Sequence, residues 1–267
     1  GISDGGRLSG DQVRALIDRG PFLGREALDA KLVDGLAYRD EIHEKVKQKA
    51  GTGADFLSWE AYLDRAGRPH ASGRTIALIY GAGGVRRGKS GFDPLYGEAA
   101  MGSDTVSAAF RAAVEDKDVK AILFRIDSPG GSYVASDTIW RETARARKAG
   151  KPVIASMGDL AGSGGYFVAM AADKIVAQPG TITGSIGVLG GKLLTTGFWD
   201  KIGVSWDEVH AGAHATFWSG TADYTPAQWT RVQAWLDRIY TDFTGKVAEG
   251  RHLPKQRVLE IAKGRIW

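Results

Sequence analysis

A layered α/β fold, with short and largely parallel strands flanked by helices, is the architecture this 267-residue sequence predicts. Three observations carry the expectation. From Thr75 onward, short apolar runs alternate with segments of helical spacing. Glycine-rich turns follow directly on three of those runs. Hydrophobic residues make up 43% and charged residues 25%, the balance of a chain that buries an ordinary core.

Residues 11–49 read as helical. Asp11-Gln-Val-Arg-Ala-Leu-Ile-Asp-Arg19 is stopped by Gly20-Pro21, and Gly24-Arg-Glu-Ala-Leu-Asp-Ala30 leads through Leu32-Val-Asp-Gly-Leu36 to Asp40-Glu-Ile-His-Glu-Lys-Val46. Ala50-Gly-Thr-Gly-Ala-Asp55 and the stretch 64–74 are loop-like, with Phe56 to Leu63 a short amphipathic piece between them. The expected organisation is a helical piece over 1–50, a linker over 51–73 and an α/β domain over 74–267.

Within that domain Thr75-Ile-Ala-Leu-Ile-Tyr80, Ala121-Ile-Leu-Phe-Arg-Ile126, Pro152-Val-Ile-Ala-Ser156 and Lys174-Ile-Val-Ala177 are runs typical of buried strands. Ser103 to Asp116, Ser136 to Lys148 and Ser163 to Ala172 have helical spacing. Thr225-Pro226 opens a long amphipathic helix to Val247, and Pro254 to Lys263 is another.

Composition narrows the function. Thirty-five Lys and Arg against 31 Asp and Glu leave a charge of +4 without a dense basic run, which argues against nucleic acid as a partner. With no cysteine there is no disulfide, thiolate metal site or cysteine nucleophile. No window approaches 18 consecutive apolar residues, and the start, Gly1-Ile-Ser-Asp-Gly-Gly6, has neither an initiator Met nor a signal-peptide core. The expectation is an internal, soluble piece of a longer protein, with any membrane anchor outside it.

The chemistry is sought at the glycine-rich turns, because loops at the carboxyl ends of parallel strands converge on one crevice. Ser128-Pro-Gly-Gly131 follows a strand, and its glycines could let backbone N–H groups approach a ligand, or serve turn geometry alone. Gly158-Asp-Leu-Ala-Gly-Ser-Gly-Gly165 places Ser163 between glycines at a helix N-terminus, where it could be an exposed nucleophile or a plain helix cap. Thr181-Ile-Thr-Gly-Ser-Ile-Gly187 is the third such turn.

Together, Arg125-Ile-Asp-Ser-Pro-Gly-Gly-Ser132, the stretch Gly150 to Tyr166 and Thr183-Gly-Ser-Ile-Gly-Val188 resemble the signal peptide peptidase A (protease IV) family, and the likeness runs along essentially the whole chain. The resemblance implies a crotonase/Clp-protease-like fold and a Ser-Lys dyad acting on signal peptides and other apolar, extended peptides, without cofactor or metal. It implies Ser163 as nucleophile, Ser185 as the serine that orients the dyad lysine, Gly130 and Gly131 at the oxyanion hole, and Ser128, Pro129 and Gly164 along the substrate. It also implies a bacterial protein anchored in the cytoplasmic membrane, with its catalytic part on the outer face, and a ring-like homo-oligomer, a tetramer or larger.

One departure stands out. Single-domain members of the family carry the lysine in a Gly-x-x-Lys segment, but the matching stretch His210-Ala-Gly-Ala-His-Ala-Thr-Phe-Trp-Ser219 has Ala215 there. Two-domain members carry the lysine in the first repeat and the serine in the second. Gly20 to Leu36 resembles the end of a family repeat, so the chain is expected to hold the tail of the first repeat and most of the second, with the first repeat as its partner. Rival readings are a Ser-His-Asp peptidase of the Clp type, whose histidine would fall near Val188, and a catalytically silent crotonase-fold acyl-binding or scaffold protein. Lys192 or Lys201 could act as a local base. His210 and His214 lie four apart but lack the glutamate of a zinc-protease motif.

Overall fold

A computed structural model describes residues 8–19, 22–67, 73–93, 98–211 and 215–267. Gly20, Pro21, Gly212 and His214 lie outside the described residues. The chain divides into two compact units, Gly1–Ser72 and Gly73–Trp267. The first holds helices α1 (Gly10–Arg19), α2 (Gly24–Asp29), α3 (Arg39–Ala50) and α4 (Trp59–Ala66). Ser58 caps α4, its side chain accepting from the Ala61 N–H.

The second unit is layered α/β. In chain order it contains β1 (Thr75–Ala82), β2 (Gly84–Arg86), β3 (Gly91–Asp93), β4 (Glu98–Gly102), α5 (Ser103–Glu115), β5 (Val119–Ser128), α6 (Tyr133–Lys148), β6 (Val153–Gly162), α7 (Gly164–Ala169), β7 (Lys174–Val176), β8 (Ile182–Gly184), α8 (Thr196–Lys201), α9 (Pro226–Arg251) and α10 (Lys255–Ile261). The main sheet has five strands in the order β1-β5-β6-β7, with β8 also on β6, and every pairing in it is parallel.

Period-two burial explains which side of the sheet is covered. Ile122, Phe124, Ile126 and Ser128 of β5 are fully buried, and Val153, Ala155 and Met157 of β6 share their layer. They pack with Val106 and Phe110 of α5 and Ile139 and Ala146 of α6. On β1, by contrast, Ile76, Leu78 and Tyr80 are exposed, so that strand is not buried on both faces as its unbroken apolar run predicts. A second apolar cluster joins Phe167 and Met170 to Ile186, Phe243, Val247 and Val258, and so seats α9 and α10 against α7.

Besides strand β8, in a segment expected as a turn, and the short helix α8, two features differ from the sequence expectation. A small sheet, β2-β4-β3, was not foreseen, because its strands are three to five residues long, too short to show a period. The strand expected to stop at Ser156 continues to Gly162: it pairs with β7 through Ile154 to Ser156, then with β8 through Leu160 to Gly162. Gly158 permits this continuation, since a Cβ there would lie 2.8 Å from the Asp127 carboxyl carbon.

Candidate active site

Strand β6 and helix α7 meet at Ser163, which stands between the last strand residue and the first helical one. Its N–H donates to the Gly184 carbonyl at 2.9 Å, and its own carbonyl accepts from the Phe167 N–H at 2.9 Å. Held from both sides, Ser163 adopts φ 50° and ψ −117°, a conformation that costs a residue with a Cβ of the order of 1–3 kcal/mol. The alternative role of helix cap is not taken up, because the side chain accepts no hydrogen bond from the first turn of α7. Among the described residues nothing hydrogen-bonds the Ser163 hydroxyl. It opens, half-buried, into two cavities of about 520 and about 420 Å³.

The turn after β5 lies against this serine. Gly130 (φ 100°) and Gly131 (φ 149°) are required by both conformation and space. A Cβ on Gly130 would fall 2.5 Å from the Gly164 nitrogen and 2.8 Å from the Ser163 Cβ, and one on Gly131 would fall 2.3 Å from the Val85 carbonyl oxygen. The turn is pinned to β2: Val85 N–H donates to the Gly130 carbonyl, and Ser132 N–H donates to the Val85 carbonyl, each at 2.8 Å.

The hydrogen bonds sort the candidate donors. Gly130 N–H is buried and committed to the Ser128 Oγ at 3.1 Å, so it is not available to an incoming oxyanion. The N–H groups of Gly131 and Gly164 carry no such bond among the described residues, and a Cβ on Gly164 would lie 3.1 Å from the Gly131 nitrogen, so the two groups are neighbours. Ser128, expected along the substrate, has no exposed surface; its hydroxyl donates to the Gly83 carbonyl at 2.7 Å and shapes the turn from within. Pro129 is exposed beside it.

Ser185, at φ 49°, is held by its N–H donating to the Arg265 carbonyl at 2.8 Å. Its Cβ is 3.6 Å from where a Cβ on Gly162 would be, and its hydroxyl has no partner among the described residues. Ser163 and Ser185 line the smaller cavity together with Asp237, Tyr240 and Lys263. Lys263 was not foreseen as a site residue. Its only sequence signal is its place before Gly264-Arg265, whose backbone pairs with Ser185 and Ile186.

The other candidates do not converge on the serine. Lys192 places its ammonium 4.4 Å from the centre of the Tyr224 ring, and neither Lys192 nor Lys201 lines either cavity. Ala215 is exposed, as is His210. Val188, where a Clp-type histidine would fall, does line both cavities, so that position reaches the site without a titratable group. The larger cavity is mostly apolar, with Val134, Phe167, Ile239 and Phe243 in its wall and, among the described residues, Arg238 as its one charged side chain.

Residues 145–267 match the family described as peptidase family S49. The chain is 35% identical over 258 residues to Protease 4 of Salmonella typhi, a match covering 96% of this chain and 41% of that protein. It is 33% identical over 277 residues to the chloroplastic serine protease SPPA of Arabidopsis thaliana, covering 100% of this chain and 40% of that protein. The chain thus spans about two fifths of the length of these curated relatives. Among solved structures, a ClpP1 mutant from Listeria monocytogenes is similar at 15% identity with a TM-score of 0.39, over 69% of this chain and 77% of that one.

Proposed function

Because this chain belongs to peptidase family S49, we propose that it is the nucleophile-bearing part of a serine endopeptidase that degrades cleaved signal peptides and other apolar, extended peptides. The observation that carries the reading is the uncommitted Ser163 hydroxyl at a strained strand-to-helix turn, with the N–H groups of Gly131 and Gly164 unbonded beside it. Ser163 Oγ attacks the substrate carbonyl carbon, and its proton passes to a neutral lysine amine. The oxyanion is stabilised by the two N–H groups, each worth about 3 kcal/mol in such sites. Collapse of the tetrahedral intermediate returns the proton to the leaving amine, and water then hydrolyses the acyl-enzyme by the same route reversed.

A lysine serves as base only when burial or a nearby positive charge lowers its pKa from about 10.4 toward neutrality. The lysine comes from a preceding repeat, of which residues 1–50 form the tail, and Ser185 orients it. The exposed Ala215 in the segment where single-domain relatives carry the base supports this split. The whole protein is held at the bacterial cytoplasmic membrane with this part on the outer face, and it assembles as a ring. Among the described residues no helix is long and apolar enough to cross a membrane.

A second reading rests on Lys263, which lines the cavity shared by Ser163 and Ser185 and could serve as a base within the chain. One set of assays separates the two. In the full-length protein Ser163→Ala lowers peptidase turnover roughly 10⁴-fold or more, and undiminished activity overturns the assignment of the nucleophile. The isolated chain cleaves peptides poorly, and adding the preceding repeat restores turnover. Turnover by the isolated chain that disappears in Lys263→Ala instead favours the base within the chain.

A further inference from the structure

Behind the wall of the larger cavity, a set of polar groups is tied together where apolar packing alone would close the structure. Tyr133 begins α6 directly after the glycine turn and lines the cavity, its ring edge-on to Phe167 with centroids 5.8 Å apart. Its hydroxyl donates to Asp242 Oδ2 of α9 at 2.7 Å. The same oxygen accepts from Lys246 Nζ at 2.7 Å, and Lys246 also donates to Asp137 Oδ1 of α6 at 2.5 Å.

Lys246 is 17% exposed, with its ammonium 4.4 Å from the centre of the Trp140 ring and 5.5 Å from that of Phe167. Each member has a definable task. Asp242 accepts from both the phenol and the ammonium, so it links the cavity wall to α9. Lys246 offsets the charge of Asp242 and Asp137 together, and its ammonium lies near both the Trp140 and the Phe167 rings. Removing Asp242 leaves the phenol without its anchor, and removing Lys246 leaves that carboxylate without the ammonium that holds it in place, so in either case the Tyr133 ring is held less firmly against Phe167.

We propose that Asp242 and Lys246 are positioning residues that clamp Tyr133 against Phe167, and thereby fix the width of the apolar cavity beside Ser163. The clamp would be a determinant of specificity, and it rests on the reading of Ser163 as a peptidase nucleophile.

The test uses the full-length protein and two peptides that differ only in Leu or Phe before the cleaved bond, with kcat and KM measured for each. In Lys246→Met and in Tyr133→Phe the ratio of kcat/KM for the Phe peptide over the Leu peptide rises about tenfold, through a lower KM for the Phe peptide. Lys246→Arg, which can still bridge both carboxylates, keeps the original ratio. An unchanged ratio in Tyr133→Phe, or kcat falling by one factor for both peptides, overturns the clamp. Should Lys246→Met fail to fold, Tyr133→Phe decides, since it removes a single oxygen. If the unaltered protein cleaves neither peptide, the peptidase reading itself fails; cleavage with an unmoved ratio sinks the clamp alone.

Discussion

At the scale of single residues, Ser128 bears on the proposed nucleophile, Ser163, through the backbone that it ties together. Its buried hydroxyl joins the Gly83 carbonyl to the Gly130 N–H, tying the end of the first strand to the turn that packs on Ser163. Ser128→Ala leaves both backbone groups without their partner, so about 1–3 kcal/mol of stability is lost in urea unfolding. Under the proposed function, peptidase kcat falls more than KM changes, because the turn that would aim the Gly131 and Gly164 N–H groups loosens. Ser163 and the glycine turns were legible in the sequence because glycine, serine and strand ends leave a local signature. The division of labour among the turn residues was not: Ser128 was expected along the substrate and Gly130 among the donors, and only the committed N–H of Gly130 moves that role toward Gly131 and Gly164. Lys263 was invisible for a different reason, since its nearness to Ser185 comes from backbone pairing between segments far apart in the chain.

At the scale of elements, helices α5 and α6 are joined by a carboxylate that the core nearly encloses. Glu142 of α6, 7% exposed, accepts from Arg111 of α5 at 2.9 Å and from Arg145 at 2.7 Å. Both arginines are about half exposed, so they regain water when the carboxylate is removed. Glu142→Ala therefore costs about 1–2 kcal/mol in urea unfolding, less than the loss of a partner from a fully enclosed pair. Retention of full stability would show that the tie contributes nothing. The longer strands and helices of the second unit, β1, β5, α5, α6, α9 and α10 among them, followed from apolar runs and caps, as with Thr225, whose side chain accepts from the Gln228 N–H while Gln228 bonds back to the Thr225 N–H. The continuation of β6 was hidden because Gly158-Asp159 carries a turn signature that pairing with a second strand overrides.

At the scale of the whole molecule, the Tyr133, Asp242 and Lys246 group makes stability depend on alkaline pH. Burial, and then the bond to the Asp242 carboxylate, raises the Tyr133 phenol above its ordinary 10.0. Burial pulls the Lys246 ammonium down, but its bonds to Asp137 and Asp242 outweigh this, and its value rises above 10.5. In both cases the folded state holds a proton that the unfolded chain gives up. The contribution is thus complete below about pH 10 and is lost as pH rises through the raised folded values. Urea unfolding at about pH 8 and about pH 11 shows the decline, which is shallower in Tyr133→Phe; an equal decline in the variant contradicts the linkage. The backbone of Ser163 has a consequence of another kind. Its conformation goes with the pairing of β6 on β8, with the bond from Phe167 at the start of α7, and with the glycine turn packed against it. A protein engineer who copied Gly-Ser-Gly-Gly onto another scaffold would transplant the letters and leave behind the vice that gives them their shape.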